Sequence, residues 1–388
     1  MKVLFLTHSF PRFIGDAPGS FLLRLAVALK ESGVEVRVVA PAARDLAPRE
    51  DIEGIHVERF RYAPRSMETL AYTGNMAQDV AGSFSAKLAL TSFVGSELVL
   101  SAWERRSFNP DVIHAHWWFP SGLVAMMLAS LSNKPLVTTI HGTDLRVAKT
   151  IKASRSVFRS VLRKSAAVTT VSNWLASEVA SIAHGINIDV APMPVATEKF
   201  EPRGEHHQNR FLFAGRLNKQ KGLDHLLRAF ASMRGVAMLD VVGEGASAPD
   251  LKLLASQLGI SDRVAWHGQL KQAELVRFYQ SATAVVVPSV DEGLGLVAAE
   301  ALLCETPVIA FRSGGLIDVI EHERTGILVT PGETSELAAA LDRVLESPGA
   351  ASAMARAGRD FALDKFSPAN AAARYDDIYR KAIARHAA

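Results

Sequence analysis

The sequence predicts an α/β protein built from two parallel-sheet domains, and three observations carry that expectation. At 388 residues the chain is too long for one ordinary core. Short β-branched runs alternate with segments of helical spacing in both halves, the pattern of parallel sheets with crossover helices. Between the halves, Ala191 to His207 gathers Pro192, Pro194, Pro202, Gly204 and a polar HHQN run, which reads as a linker. Apolar residues make up 48% and charged residues 21%, so the chain is globular in composition. A net charge of +3 does not demand a nucleic-acid partner. The single cysteine, Cys304, excludes an intramolecular disulfide and a cysteine-based metal cluster, and a reducing, cytoplasmic setting fits it best. Met1 to Leu6 is apolar, but His8, Pro11 and Arg12 interrupt it before it could act as a signal or a membrane span.

That first segment is therefore a strand, Lys2 to Thr7. A loop with Gly15 and Gly19 follows, then a helix over Ser20 to Ser32 with Ser20 as its N-cap, then a strand from Val34 to Ala40. The loop before Ser20 lies at the carboxyl edge of a parallel sheet, where such folds bind ligands. The glycines there serve either a ligand or the turn alone. Arg59 to Arg106 is less legible, with helical stretches at Thr69 to Val80 and Ser85 to Arg105 that carry an apolar majority and would either fold over the sheet as a lid or touch a membrane surface. Asp111 to His114 reads as a strand, and HAHWWFPSG places His116, Trp117 and Trp118 on the loop beyond it. A tryptophan face stacks on sugars or apolar tails, though a pair of tryptophans is more often core. Pro135 to Ile140 is a buried-type strand with HGTD at its end, so His141 is either a hydrogen-bonding partner for a sugar or phosphate, or a structural histidine. Lys152, Arg155, Arg159 and Arg163 recur at three and four positions and would share one helix face. Such a stripe suits an anionic membrane surface or a phosphorylated acceptor, or is solvated surface. A strand at Ala167 to Val171 and a helix capped by Ser172 complete the half.

The second half repeats the alternation: strands at Arg210 to Ala214, Met238 to Val242, Val264 to His267, Ala284 to Val287, Pro307 to Phe311 and Gly326 to Val329. Alanine-rich helices over Thr334 to Glu346, Ala350 to Leu363 and Ser367 to Ala387 close the chain. Arg216 and Lys221 bracket the GRLNKQKG loop, a natural clamp for a diphosphate or plain surface charge. GEGASA at Gly243 to Ala248 superficially fits a dinucleotide fingerprint. Pro249 and Asp250 break the helix that motif needs, and no acidic strand end follows. The segment AVVVPSVDEGLGLVAAE, Ala284 to Glu300, reads as strand, loop and helix, with Glu292 on the loop and Glu300 in the helix. Gly293 and Gly295 leave backbone N–H groups open to an anion at the helix start. A phosphorylated, polyhydroxylated ligand fits this arrangement; an acidic loop before a solvated glutamate is the alternative.

These motifs together resemble the retaining glycosyltransferases of family 4, which have the GT-B fold of two Rossmann-like domains facing a cleft. The resemblance rests on PRFIGDAPGSF, HAHWWFPSG, HGTD, GRLNKQKG, VVGEG, PSVDEGLGLVAAEALLCETPVIA, Gly314 with Gly315, and TGILV, and spans nearly the whole chain. It implies an acceptor-side domain over 1–195, with a final helix near 370–388 packing back on it, and a nucleotide-sugar domain over 196–369. It implies that Glu292 and the backbone of Gly293, Leu294, Gly295, Leu296 and Val297 hold the donor sugar and phosphate, with Glu300 on the ribose. Arg216 and Lys221 would neutralise the leaving diphosphate, and Gly19, Gly243 and Leu270 would line the donor. His141 would stand near the reacting end of the sugar, which with Arg216, Lys221 and Glu292 makes the catalytic set. Ser20, His116, Trp117 and Asp144 would meet the acceptor.

The reaction so implied moves a hexose-type sugar from a nucleotide diphosphate sugar, the co-substrate, to a glycan, glycolipid or lipid-linked acceptor. It would proceed by front-face departure and attack without a cofactor or metal. An epimerase of the same fold and a binding protein without turnover are the alternatives. The family's Asn-Gly-Val-Asp before the linker phenylalanine is replaced here by Met193, Pro194, Val195 and Ala196 ahead of Phe200. Localisation is expected in the cytoplasm, with the inner membrane face as a docking surface.

Overall fold

The computed structural model describes residues 1–72, 76–203 and 209–387. These form two units, one running Met1–Pro194 and resuming at Pro368, the other Val195–Ser367. Unit 1 holds strands β1 (Lys2–Leu6), β2 (Glu35–Pro41), β3 (Arg49–Ile52), β4 (Ile55–Phe60), β5 (Val112–His116), β6 (Leu136–Ile140), β7 (Ala167–Thr170) and β8 (Ile188–Val190). They make one sheet in the order β3-β4-β2-β1-β5-β6-β7-β8. All neighbours are parallel except β3 and β4, a hairpin turning tightly at Glu53 and Gly54. Unit 2 holds β9 (Arg210–Ala214), β10 (Met238–Val242), β11 (Val264–Gly268), β12 (Ala284–Val287), β13 (Val308–Phe311) and β14 (Ile327–Val329), an all-parallel sheet ordered β11-β10-β9-β12-β13-β14. Chain order reverses between β1 and β5 in one sheet and between β9 and β12 in the other. At such switch points the following loops diverge and leave a crevice.

The central strands are buried on both faces, as helix-covered parallel strands must be. In unit 2 the core gathers Phe211, Leu226, Leu227, Phe230, Leu239, Val241, Ile309 and Leu341 around β9 and β10. Burying one such side chain contributes roughly 1.5–3 kcal/mol, so the apolar runs read as strands hold both sheets together. The final helix, Pro368–Ala387, lies in unit 1, where Tyr375 and Tyr379 are fully buried. It packs beside the helix Ser20–Glu31 and against β5, β6 and β7.

Several local expectations are corrected. Gly19, with φ +73°, is the N-cap, and Ser20 is the first helical residue without a capping bond. A Cβ at Gly19 would sit 2.6 Å from the Ser9 carbonyl oxygen, so the turn needs both the left-handed backbone and the missing side chain. Strand β5 runs on to His116, which is therefore a strand end and not a loop residue. Pro249 does not break a helix but occupies the first turn of one, Ala248–Gln257, where its missing N–H costs nothing. The basic stripe loses one member: helices Thr143–Thr150 and Ser154–Lys164 leave Lys152 between them, while Arg155, Arg159 and Arg163 share a face of the second. Arg155 donates to the Ala148 and Lys149 carbonyls at 3.1 Å, and Arg159 to Ile182 at 2.8 Å, which ties both down as ends for helix carbonyls. Hairpin β3–β4 is an addition the apolar periodicity does not mark. The helix expected from Thr69 begins at Met76, and part of that stretch, residues 73–75, lies outside the described residues, as does 204–208 of the linker.

Candidate active site

In unit 2 the loops at the carboxyl ends of β9 and β12, the switch-point pair, bring two charged groups together. Asn218 Oδ1 accepts from the Lys221 backbone N–H at 3.2 Å and shapes the short helical turn Lys219–Lys221. That turn aims Lys221 Nζ at Glu292 Oε2, 2.6 Å away. Burial alone would raise the Glu292 carboxyl, but the Lys221 ammonium, then Arg216 and Ser289, hold it below the usual carboxylate range. Arg216 is exposed one turn earlier. The loop carrying Glu292 is braced by Gly315, whose N–H donates to the Glu292 carbonyl at 2.6 Å. Beside it Gly314, with φ +59°, lies so close that a Cβ would fall 2.5 Å from the Glu292 backbone.

Beyond Glu292, Gly295 takes a left-handed conformation and starts the helix Leu296–Leu303. Leu296 and Val297 are half-buried at its first turn and Leu294 is buried, so backbone N–H groups face the loop. Glu300, one turn further on, accepts from the buried Tyr279 hydroxyl at 3.0 Å. Gly243 follows β10, and Leu270 follows β11 at the same sheet edge. The structure thus gathers Arg216, Lys221, Gly243, Leu270, Glu292 through Val297 and Glu300 at one edge of unit 2. Tyr279 is a member that sequence reasoning missed. Its only signal is a Tyr in the helix before β12, and the contact is 21 residues away in sequence. Tyr279→Phe should remove this hydroxyl donor from Glu300 and destabilise the protein by about 1–3 kcal/mol. Thermal melting of the variant checks this, and an unchanged midpoint would mean that Glu300 repacks.

In unit 1 the switch-point loops after β1 and β5 meet the end of β6. Trp117 packs against His8 and His141 at ring distances of 4.3 Å each, and Phe21 lies 5.3 Å from His141. The Trp117 indole N–H donates to Thr143 at 3.2 Å. His116 is fully buried with Nδ1 3.2 Å from His141 Nε2, and His114 joins Tyr379 and Thr139 at 2.8 and 2.7 Å. Burial lowers all four imidazoles: His8 to about 4, His114 to about 3, and His116 and His141 well below their usual value with neighbouring rings adding to the effect. At neutral pH His141 is therefore an uncharged hydrogen-bonding group.

Asp144, expected at the acceptor, is buried. Its buried carboxylate accepts from four backbone N–H groups, those of Trp118, His141, Gly142 and Leu145, at 2.9 to 3.2 Å. A strand-to-helix turn exposes such donors, and one carboxylate satisfies them. His116 is likewise fully buried, packed against Phe5, His114 and His141. Gly19, Ser20 and Trp117 stand on the loop side of this cluster.

Two family descriptions match the chain: the glycosyl transferase 4-like domain over residues 17–194 and glycosyl transferases group 1 over 195–361. An uncharacterized glycosyltransferase of Methanocaldococcus jannaschii is 30% identical over 99% of both chains. The chain belongs to the group 1 glycosyltransferases. A D-inositol 3-phosphate glycosyltransferase of Frankia alni is 34% identical over 86% of this chain and 87% of its own. Among solved structures, sucrose-phosphate synthase of Thermosynechococcus elongatus superposes with a TM-score of 0.84 at 24% identity, over 99% of this chain and 100% of that one. Anabaena HepE in complex with UDP gives 0.75 at 20%, over 97% and 99%. The fold is therefore GT-B, and this glycosyltransferase carries its family's two parallel-sheet units.

Proposed function

We propose that this glycosyltransferase moves a hexose-type sugar from a nucleotide diphosphate sugar to a glycan, glycolipid or lipid-linked acceptor, with retention of anomeric configuration. The observation that carries the reading is the 2.6 Å contact between Lys221 Nζ and Glu292 Oε2 at the switch point of unit 2. Without a ligand these two groups neutralise each other. A bound donor would divide them, its diphosphate taking Lys221 and Arg216 and its sugar hydroxyls taking Glu292. Glu300, held by Tyr279, would accept from the ribose hydroxyls, and the start of helix Leu296–Leu303 would face phosphate. Solved HepE complexes with UDP and with UDP-glucose, and relatives named for inositol phosphate and 2-deoxystreptamine acceptors, support a nucleotide-sugar donor and a hydroxyl acceptor.

In this reading the sugar–phosphate bond lengthens first. The growing charge on the leaving phosphate oxygen is stabilised by Lys221 and Arg216, and that oxygen takes the proton of the acceptor hydroxyl as it attacks the same face. Glu292 is a ligand of the sugar and not a nucleophile. A double displacement would need a second carboxylate placed across the scissile bond from Glu292. His141, neutral by burial, would hydrogen-bond the sugar without adding charge. The two cations do the work a metal could do, so transfer should persist in excess EDTA. Activity that vanishes there and returns with one divalent cation would overturn that part.

The decisive experiment is a thermal-shift screen of nucleoside diphosphates and their sugars, followed by an assay of nucleoside diphosphate release. A ligand at a hundredfold over its Kd stabilises by roughly 2.7 kcal/mol. Stabilisation by one nucleoside diphosphate, with slow donor hydrolysis absent in Glu292→Ala, supports the reading. Epimerised donor as the sole product, or no turnover with any donor, would overturn it.

A further inference from the structure

The helix Phe84–Phe108 in unit 1 is inverted in character. Its inward face carries Phe93, Glu97, Ser101, Glu104 and Phe108, so both of its carboxylates are buried in the protein. Its outward face exposes four large apolar side chains, Phe84 at 76%, Leu88 58%, Val99 72% and Trp103 52%, with the exposed Thr91, Ser92 and Gly95 between the two pairs. At about 100° per residue these four fall within an arc of roughly 100°, on the side opposite the carboxylates. Arg106 falls in the same arc and is exposed, while Lys87 and Arg105 flank it. Arg49, from β3 and paired with Glu58, lies with its guanidinium 5.6 Å from the Trp103 ring. The outward face thus joins bulky apolar groups to cations and holds no carboxylate of the helix.

We infer that this face docks the protein on an anionic lipid surface, lying flat with Phe84, Leu88, Val99 and Trp103 in the headgroup boundary. A water-facing helix gains nothing by exposing four large apolar side chains, whereas burying them at a membrane repays each one. The cations supply the complementary charge to acidic headgroups, and tryptophan suits the boundary because one end is apolar and the other polar. A second copy of the chain is a poorer occupant. A two-fold contact across this face would set Lys87, Arg105 and Arg106 against their own counterparts with no carboxylate between them. The helix is not long and apolar enough to cross a membrane, as is true of every helix among the described residues. The inference stands on the helix alone and does not depend on the donor chemistry proposed above.

The test is co-sedimentation of the full chain with vesicles of phosphatidylcholine alone and of phosphatidylcholine with phosphatidylglycerol in a two-to-one ratio. Binding to the anionic vesicles is expected, weakening as salt screens the cations. Leu88→Glu combined with Trp103→Glu should lower partitioning by at least about tenfold. Both sites are exposed, so the melting midpoint should not move, which separates lost docking from lost folding. Lys152→Glu with Arg163→Glu should bind as the parent does. Absence of binding, equal binding to uncharged vesicles, or loss only in the Lys152 and Arg163 variant would overturn the proposal. A parent chain that is dimeric while the Leu88 and Trp103 variant is monomeric would assign the face to a second copy instead.

Discussion

Lys221→Ala is expected to lower the rate of sugar transfer by a factor of about 10²–10³, in line with the loss of one charge-stabilising donor at a developing oxyanion. The ammonium sits 2.6 Å from Glu292 in the absence of donor, so its removal does two things. On the proposed mechanism it strips the leaving diphosphate of a partner, and it leaves the Glu292 carboxylate with only Arg216 and Ser289 to offset its burial. The Glu292 carboxyl should then rise, and the donor-free protein should lose stability at neutral pH. With the pair intact the sign is the usual one for a depressed carboxyl. Its contribution is present above the unfolded value near 4.3 and is lost as pH falls through the lower folded one. Steady-state transfer assays and melting from about pH 3 to pH 7 measure both effects. A Lys221→Ala enzyme of unchanged kcat/KM would remove the cation from the reaction.

Glu97→Gln should flatten the alkaline pH dependence of stability. Glu97 is fully buried on the inward face of helix Phe84–Phe108, where neither oxygen makes a well-formed hydrogen bond. Burial, outweighing the pull of the Ser121 hydroxyl, pushes its carboxyl up to about 8. The folded protein therefore holds a proton that the unfolded chain releases near pH 4.3. That contribution is fully present below the unfolded value and is lost as pH rises through about 8. Between about pH 5.5 and pH 9 it amounts to about 3 kcal/mol, and a glutamine, neutral throughout, does not titrate. Denaturant melts of parent and variant at the two pH values decide the matter. Parallel profiles would show that Glu97 is ionised in the folded state.

Much of this architecture was legible in the residues. Strands such as Arg210 to Ala214, Met238 to Val242 and Ala284 to Val287 were readable to the residue, because a parallel strand covered on both faces must be an unbroken apolar run bounded by turn formers. The helix Phe84–Phe108 was read at Ser85 to Arg105, but which of its faces is buried was not, for the opposite reason. Its buried face is partly polar and its exposed face apolar, so burial does not follow the hydrophobic pattern that sequence reading relies on. Hairpin β3–β4 was illegible because alternating Arg49, Glu50 and Asp51 look like a charged loop until Glu58 and Arg59 are seen opposite them.

The candidate site divides the same way. Glu292, Arg216 and Lys221 are marked by residue type and by their place after a strand, Glu300 by its helix just beyond, and the motifs around them name the family, so fold class and the chemistry to look for are legible in the residues. Who meets whom is settled by packing. Lys221 finds Glu292 across 71 residues, Tyr279 braces Glu300, and Asp144 closes a backbone turn. Such pairings depend on strand order and loop approach, which local composition does not encode. The same holds for the charge of His141. Burial among other rings makes it neutral, and burial is a property of the packed molecule, not of the HGTD motif.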